Sequence, residues 1–271
     1  MIYNTLITKI NRARFHYTCL LHGFHVWCDG DPVRYETRET GLDAGYRKIV
    51  TSLHFNGNPP VEWNIIVGDL LQQLRSVFEH ISFNANHGAM LSKSKQKSLN
   101  FPILPEENEE NYNKKILSNK LFTPKFIDFA NRLRPYLDGN TPLCHLHKLA
   151  VIDRHRNVST TCAGVFSKKW GMKVGNDGRP FDGYDPARAF SFIPHTDHLP
   201  SQPRPIVDGE DVAYEIVPRG KESLFSVHVE TSLMLNEPDV CSPLPAAMAL
   251  ANYIQITEDA VVLAKKMRII S

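Results

Sequence analysis

The chain has 271 residues, with 31 Lys and Arg against 29 Asp and Glu and a formal net charge of +2. Hydrophobic residues at 42% and charged residues at 22% exclude a disordered chain and supply enough apolar side chains for a core. The near-neutral balance excludes a strong global pull toward nucleic acid, leaving local basic patches, and no stretch approaches the roughly 20 apolar residues that a membrane helix needs.

Leu6, Ile10, Phe15, Leu20 and Leu21 recur at helical spacing in the opening residues and predict a first helix to about residue 28. Lys9, Arg12, Arg14 and His16 interrupt any apolar signal region there, so the expectation is a soluble, cytoplasmic protein with no membrane partner. Two β-leaning segments, 33–38 and 45–55, flank Gly41 to Gly45 and predict a hairpin that ends at Asn58-Pro59-Pro60. The strongest helical signal follows over 61–84, where Val67, Leu70, Leu71, Leu74, Val77, Phe78 and Ile81 form one stripe.

Residues 85–112 are polar and broken, running from Lys93, Lys95 and Lys97 through Phe101-Pro102-Ile103 to Glu106, Glu107, Glu109 and Glu110. That pattern predicts a surface loop, mobile unless a partner holds it. Thr123-Pro124 supplies an N-cap and a first-turn proline for a helix carrying Phe126, Ile127, Phe129, Ala130 and Leu133. Another helix is predicted from Thr141-Pro142 to about Asn157, with Leu143, Leu146, Leu149, Ala150 and Asp153 on one face. Residues 158–162 turn β-like, a Gly-, Pro- and Asp-rich loop covers about 171–210, and strands are predicted at 212–217 and 223–235. An alanine-rich helix over about 244–267 closes the chain.

These elements predict one α+β domain spanning 1–271. Its helical bundle core covers about 1–28, 61–84, 123–157 and 244–267, with a β-hairpin insert (32–57) and a C-terminal antiparallel β segment within 158–236. Cys19, Cys28, Cys144, Cys162 and Cys241 are odd in number and contain no C-x-x-C pair, so they read as reduced, mostly buried thiols.

The first chemical candidate is Arg75 with His80 on the strongest helix. A fixed guanidinium and a proton-shuttling imidazole suit metal-independent RNA cleavage: histidine assists attack by the ribose 2′-hydroxyl while arginine stabilises charge on the phosphorus oxygens. Bare spacing says little, since about two such pairs arise by chance in this composition and three occur, the others being Arg47/His54 and Arg188/His195. Five residues place the two side chains about 140° apart around the helix, so a second helix or a partner subunit has to complete the site. The plainer alternative pairs Arg75 with Glu79 at i+4 and leaves His80 facing solvent.

The second candidate is the segment from His145 to Arg156. Asp153 on an apolar face requires a partner; Arg156 is the local one, Arg75 or His80 the more consequential ones, with His155 in support. His145, His147 and His155 with Asp153 lack the i, i+4 spacing of a helical metal site. Gly171, Gly175 and Gly178 lack the context of a phosphate-binding loop, so neither metal nor cofactor is expected. Ser159, Thr160 and Thr161 form no nucleophile elbow. Lys168, Lys169, Trp170 and Lys173 offer a small basic-aromatic patch for RNA or a solvated strand edge.

The run Gly68-Asp69 to Leu74-Arg75-Ser76, Glu79-His80, then Phe101-Pro102-Ile103, then Pro142 to Ile152-Asp153-Arg154-His155-Arg156 resembles a family of uncharacterised bacterial and phage-associated proteins over residues 60–160. The chain departs from that family at Glu79, where an aspartate is usual, and at Gln72, where histidine is frequent. Arg75 and His80 also resemble the signature pair of HEPN-domain proteins, with Ser76 in place of the usual asparagine, aspartate or histidine. That resemblance implies a helical bundle, a homodimer, RNA as substrate or ligand, and a role in toxin–antitoxin or phage-defence systems. A reading from a different class makes the chain a non-catalytic protein-interaction module whose Arg/His/Asp cluster is a structural network.

Overall fold

Helix α1 (Ile2–Asp29) buries Leu6, Ile10, Ala13, His16 and Leu20, a stripe of three- and four-residue steps. Phe15, expected on that stripe, is exposed, because five residues from Ile10 carry it about 140° around the helix. Helix α2 (Glu62–Ala85) buries the whole expected stripe, and Gly68, Arg75 and Ser82 with it. The computed structural model that carries these elements describes residues 2–41, 45–57, 59–158, 160–170, 190–192, 204–219, 225–237, 240 and 245–270.

Between α1 and α2 lies the hairpin of β1 (Val33–Gly41) and β2 (Tyr46–Phe55), paired antiparallel from Val33 opposite Phe55 to Gly41 opposite Arg47. After α2 come a 3₁₀ turn (Gly88–Met90), α3 (Lys93–Gln96), α4 (Glu109–Ser118), α5 (Pro124–Leu133) and α6 (Thr141–His155). Side-chain caps start three of these helices. Asn108 accepts from the Asn111 N–H at 2.9 Å, Thr123 from Phe126 at 3.3 Å and Asn140 from Leu143 at 3.1 Å, with Pro124 and Pro142 in the first turns. The cap of α6 is thus Asn140, and the helix starts at Thr141 as expected. Strands β3 (Thr160–Trp170), β4 (Phe190–Phe192), β5 (Arg204–Pro205), β6 (Glu210–Pro218) and β7 (Phe225–Leu235) precede the last helix, α7 (Ala246–Lys266). The fold is α+β. One sheet has the order β1-β2-β6-β4 with antiparallel neighbours, and a second has the order β5-β3-β7.

The chain divides into two compact units. One contains residues 1–24, 60–160 and 235–271 and is helical; the other contains 25–59 and 161–234 and holds the sheets. In the β unit, Leu53, Ile206 and Val212 are buried among Trp27, Val33, Phe55 and Val229. Arg38, Ser52 and Asp211 interlock beside an irregularity of pairing at Thr51/Ser52, Ser52 donating to Asp211 at 2.6 Å.

The structure corrects the expectation for residues 85–112. Leu99, Phe101 and Ile103 are core residues, and the Phe101 ring lies 5.2 Å from Phe78, 5.7 Å from Phe126 and 6.2 Å from Phe129, centroid to centroid. The segment is polar by composition, but Leu99, Phe101 and Ile103 dock, while Met90 stays exposed. Among the described residues no helix is long and apolar enough to cross a membrane. Cys144 is buried, while Cys19 and Cys28 are partly exposed free thiols.

Phe101 is only 2% exposed, so Phe101→Ala is predicted to lower the unfolding free energy by about 3–5 kcal/mol, measured by chemical denaturation. A solvated loop residue in its place would lose almost nothing.

Candidate functional site

A polar line runs along α2 beside its apolar stripe: Gly68, Gln72, Arg75 and Glu79, in steps of four, three and four residues. It meets His147, Ala150 and Asp153 of α6. Each contact along this seam is specific. An added Cβ on Gly68 would come within 2.1 Å of Asp153 Oδ1, so only glycine leaves room for that carboxylate. Gln72 Nε2 donates to the Ala150 carbonyl at 2.8 Å and to Asp153 Oδ2 at 3.0 Å.

Arg75 is 4% exposed, and its guanidinium makes two hydrogen bonds and one ion pair. Nη1 forms an ion pair with Glu79 Oε1 at 2.6 Å, Nη2 donates to the Phe101 carbonyl at 3.3 Å, and Nε donates to His147 Nδ1 at 3.1 Å. Glu79 Oε2 accepts the Phe101 N–H at 2.8 Å. Arg75 and Glu79, one turn apart, therefore hold both backbone polar groups of Phe101 while its ring enters the core. This is the pairing with Glu79 that the plainer sequence alternative anticipates. Burial draws the Arg75 pKa down, Glu79 draws it up and Arg154 draws it down again; an arginine nevertheless keeps its charge.

His147 is neutral under ordinary conditions. Burial, then the Arg75 and Arg154 charges, push its pKa down to about 4. Because Nδ1 accepts from Arg75, the ring proton of the neutral imidazole sits on Nε2. The ring offers a hydrogen-bond donor there and no free basic nitrogen.

The other predicted site residues lie elsewhere. His80 is half-buried on the far flank of α2, its pKa lowered first by burial and then by Lys9 of α1, and its imidazole has no hydrogen bond among the described residues. Asp153 meets Gln72 and Gly68, not Arg75, His80 or Arg156. Arg156 reaches instead to buried Glu237, Nη1 to Oε1 and Nη2 to Oε2, both at 2.7 Å. His155 is exposed at the end of α6. The structure thus unites Arg75 with Glu79, Phe101 and His147, and it does not bring Arg75, His80 and Asp153 to one point within the chain. His147 is the residue whose role the sequence reading missed. The signal for it was the matching polar line of α2, which needs hydrogen-bonding groups on the facing helix.

Among the described residues no group of three or more His, Cys, Asp or Glu side chains is arranged to hold a metal. Ser159, Gly171, Gly175, Gly178 and Lys173 lie outside the described residues, as do the side chains of Lys168, Lys169 and Trp170. No protein-family model matches the chain, and no curated protein or solved structure matches it.

Folded His147 titrates near pH 4 and unfolded histidine near pH 6.5, so the unfolded chain takes up its proton first as pH falls. Stability from this residue is therefore complete above pH 6.5, declines down to pH 4 and declines no further below it. Its partial exposure limits the loss to on the order of 2 kcal/mol. Denaturant unfolding across that range is predicted to show this decline in the native protein and not in His147→Gln, whose amide oxygen still accepts from Arg75.

Proposed function

We propose that this chain is a non-catalytic binding module on a helical bundle, in which Arg75, Glu79, His147 and Asp153 form a structural network. One observation carries the reading: the guanidinium that a phosphate would have to meet is buried, hydrogen-bonded through Nε and Nη2 and ion-paired with Glu79 through Nη1. A nuclease arginine has to face its substrate. This one faces the backbone of Phe101 and a neutral imidazole.

A buried ion pair broken on one side leaves an uncompensated charge and costs about 3–5 kcal/mol. Arg75→Ala orphans Glu79 in this way and also frees the Phe101 carbonyl. It is predicted to lower the unfolding free energy by about that amount, with no ribonuclease activity in the native protein to lose. An Arg75→Ala variant as stable as the native chain, but stripped of a measurable RNA-cleaving activity, would contradict the reading.

A second reading keeps the HEPN-like ribonuclease, with its possible toxin or defence role, and moves it off Arg75. It is favoured by His80, half-buried beside Lys9 and with its imidazole unbonded. A homodimer would then have to supply the cation that stabilises the phosphate. In the same RNA assay, His80→Ala separates the two readings: a cleaving native protein that this substitution silences supports the second.

A further inference from the structure

Four helix ends of the helical unit meet at one place. At the end of α2, Asn86 Oδ1 accepts the N–H of Thr123, the cap of α5, at 2.7 Å, and the Ala85 carbonyl accepts the Thr123 hydroxyl at 3.2 Å. Lys125, in the first turn of α5, donates to the Arg268 carbonyl just past the end of α7 at 2.7 Å. Lys265, in the last turn of α7, lies 3.9 Å from the centre of the Tyr3 ring at the start of α1. Gln96 of α3 donates to the carbonyls of Gly88 at 3.1 Å and Leu91 at 3.0 Å, which ties that short helix to the turn that follows α2. Around this end the charge has one sign. No Asp or Glu occurs in residues 2–28, 80–105, 111–127 or 260–270, and the next carboxylate along α5, Asp128, pairs with Arg132. Lys93, Lys95 and Lys97, on and beside α3, are exposed and have no carboxylate partner among the described residues. The same holds for Lys120 and Lys125 around the start of α5, and for Lys265, Lys266 and Arg268 at the end of α7.

Elsewhere in the unit, Arg14, Lys114, Lys115, Arg132 and Lys148 each form an ion pair with a carboxylate. Favourable interaction with a helix dipole accounts only for cations in a last turn, and Lys93, Lys95, Lys97 and Lys120 lie outside the last turns of α2 and α7. Among these cations an apolar side chain is held out to solvent. Met90 is 86% exposed, while its backbone N–H is fixed by the His87 carbonyl at 2.9 Å. We propose that this end of the helical unit docks on an anionic lipid surface, its lysines against the headgroups and Met90 inserted between them. The composition fits that partner. Seven of the eight cations are lysines, hydrated point charges on flexible stems that follow a diffuse sheet of negative charge, whereas arginine forks suit individual phosphates. Met90 adds the apolar contact that a bilayer interface accepts. A peripheral contact needs neither a spanning helix nor a signal region, the features whose absence led to the expectation of no membrane partner. The inference goes beyond the network reading and uses none of the residues of the Arg75 network.

The test is co-sedimentation of the full chain with vesicles of phosphatidylcholine alone and of phosphatidylcholine mixed with phosphatidylglycerol, at low and high ionic strength. Binding of a single-stranded oligoribonucleotide is measured beside it. The native protein is compared with a triple variant (Lys93→Glu, Lys95→Glu, Lys97→Glu), a double variant (Lys265→Gln, Lys266→Gln) and Met90→Ser. A double variant away from this end (Lys114→Gln, Lys115→Gln) controls for net charge, and thermal unfolding of each is followed in parallel. Expected is saturable binding to the phosphatidylglycerol vesicles alone, lost at high ionic strength. Binding should be about tenfold weaker or more in the Lys93/Lys95/Lys97 and Lys265/Lys266 variants, severalfold weaker in Met90→Ser, and close to native in the control. Should the Lys265/Lys266 variant unfold at a lower temperature, the Lys93/Lys95/Lys97 variant decides. Absence of binding to the anionic vesicles, including the case in which only the oligoribonucleotide binds, overturns the inference. So does native-like binding by the Lys93/Lys95/Lys97 variant or by Met90→Ser, or equal weakening in the control. None of these results touches the network reading, which stands or falls on the stability of Arg75→Ala.

Discussion

The helical unit depends on a buried guanidinium. Removing a charge from water costs several kcal/mol unless attraction and hydrogen bonds offset it, and Arg75 meets that requirement with three different partners. The carboxylate of Glu79 compensates the charge, the Phe101 carbonyl accepts from one end of the fork, and His147 accepts at Nε. The arrangement joins three pieces of chain far apart in sequence: α2, α6 and the segment around Phe101. It also explains how a polar stretch enters a core. Phe101 belongs to no helix or strand, so its backbone groups need partners on arrival, and α2 offers a donor and an acceptor one turn apart.

The same seam continues along α2 and α6 by other means. At Gln72 the contact is an amide reaching a carbonyl and a carboxylate, and at Gly68 it is the absence of a side chain. Asp153 is thereby a buried-side acid with a neutral donor in place of a cation. Beyond the end of α6, Arg156 joins Glu237. His147, Asp153 and Arg156 thus have separate local settings, against Arg75, against Gln72 and Gly68, and against Glu237.

What the sequence made legible follows the physics of repetition. The stripe from Val67 to Ile81 located α2 within one residue at each end, and Thr123-Pro124 located the start of α5, because these signals lie within a few residues of each other. The hairpin was legible for the same reason. Pairing across long separations was not. Nothing local says that Arg75 meets His147, 72 residues away, in preference to His80, five residues away. Five residues along α2 separate Arg75 from His80 by about 140° and require another helix, but that angle does not identify the partner. The segment around Phe101 was misread because composition averages over its residues, whereas docking depends on three of them. Over about 171–210 the turn-rich composition carried little periodic signal, whereas the strands and helix that follow it were legible.

Nitrogen NMR reads the Arg75–His147 hydrogen bond most directly. In a long-range proton–nitrogen correlation spectrum at neutral pH, His147 is predicted to be a single neutral tautomer with Nε2 protonated and Nδ1 bare. A slowly exchanging Arg75 Nε–H is predicted to accompany it. A His147 protonated at Nδ1, or averaging between tautomers beside a rapidly exchanging Arg75, would contradict the account.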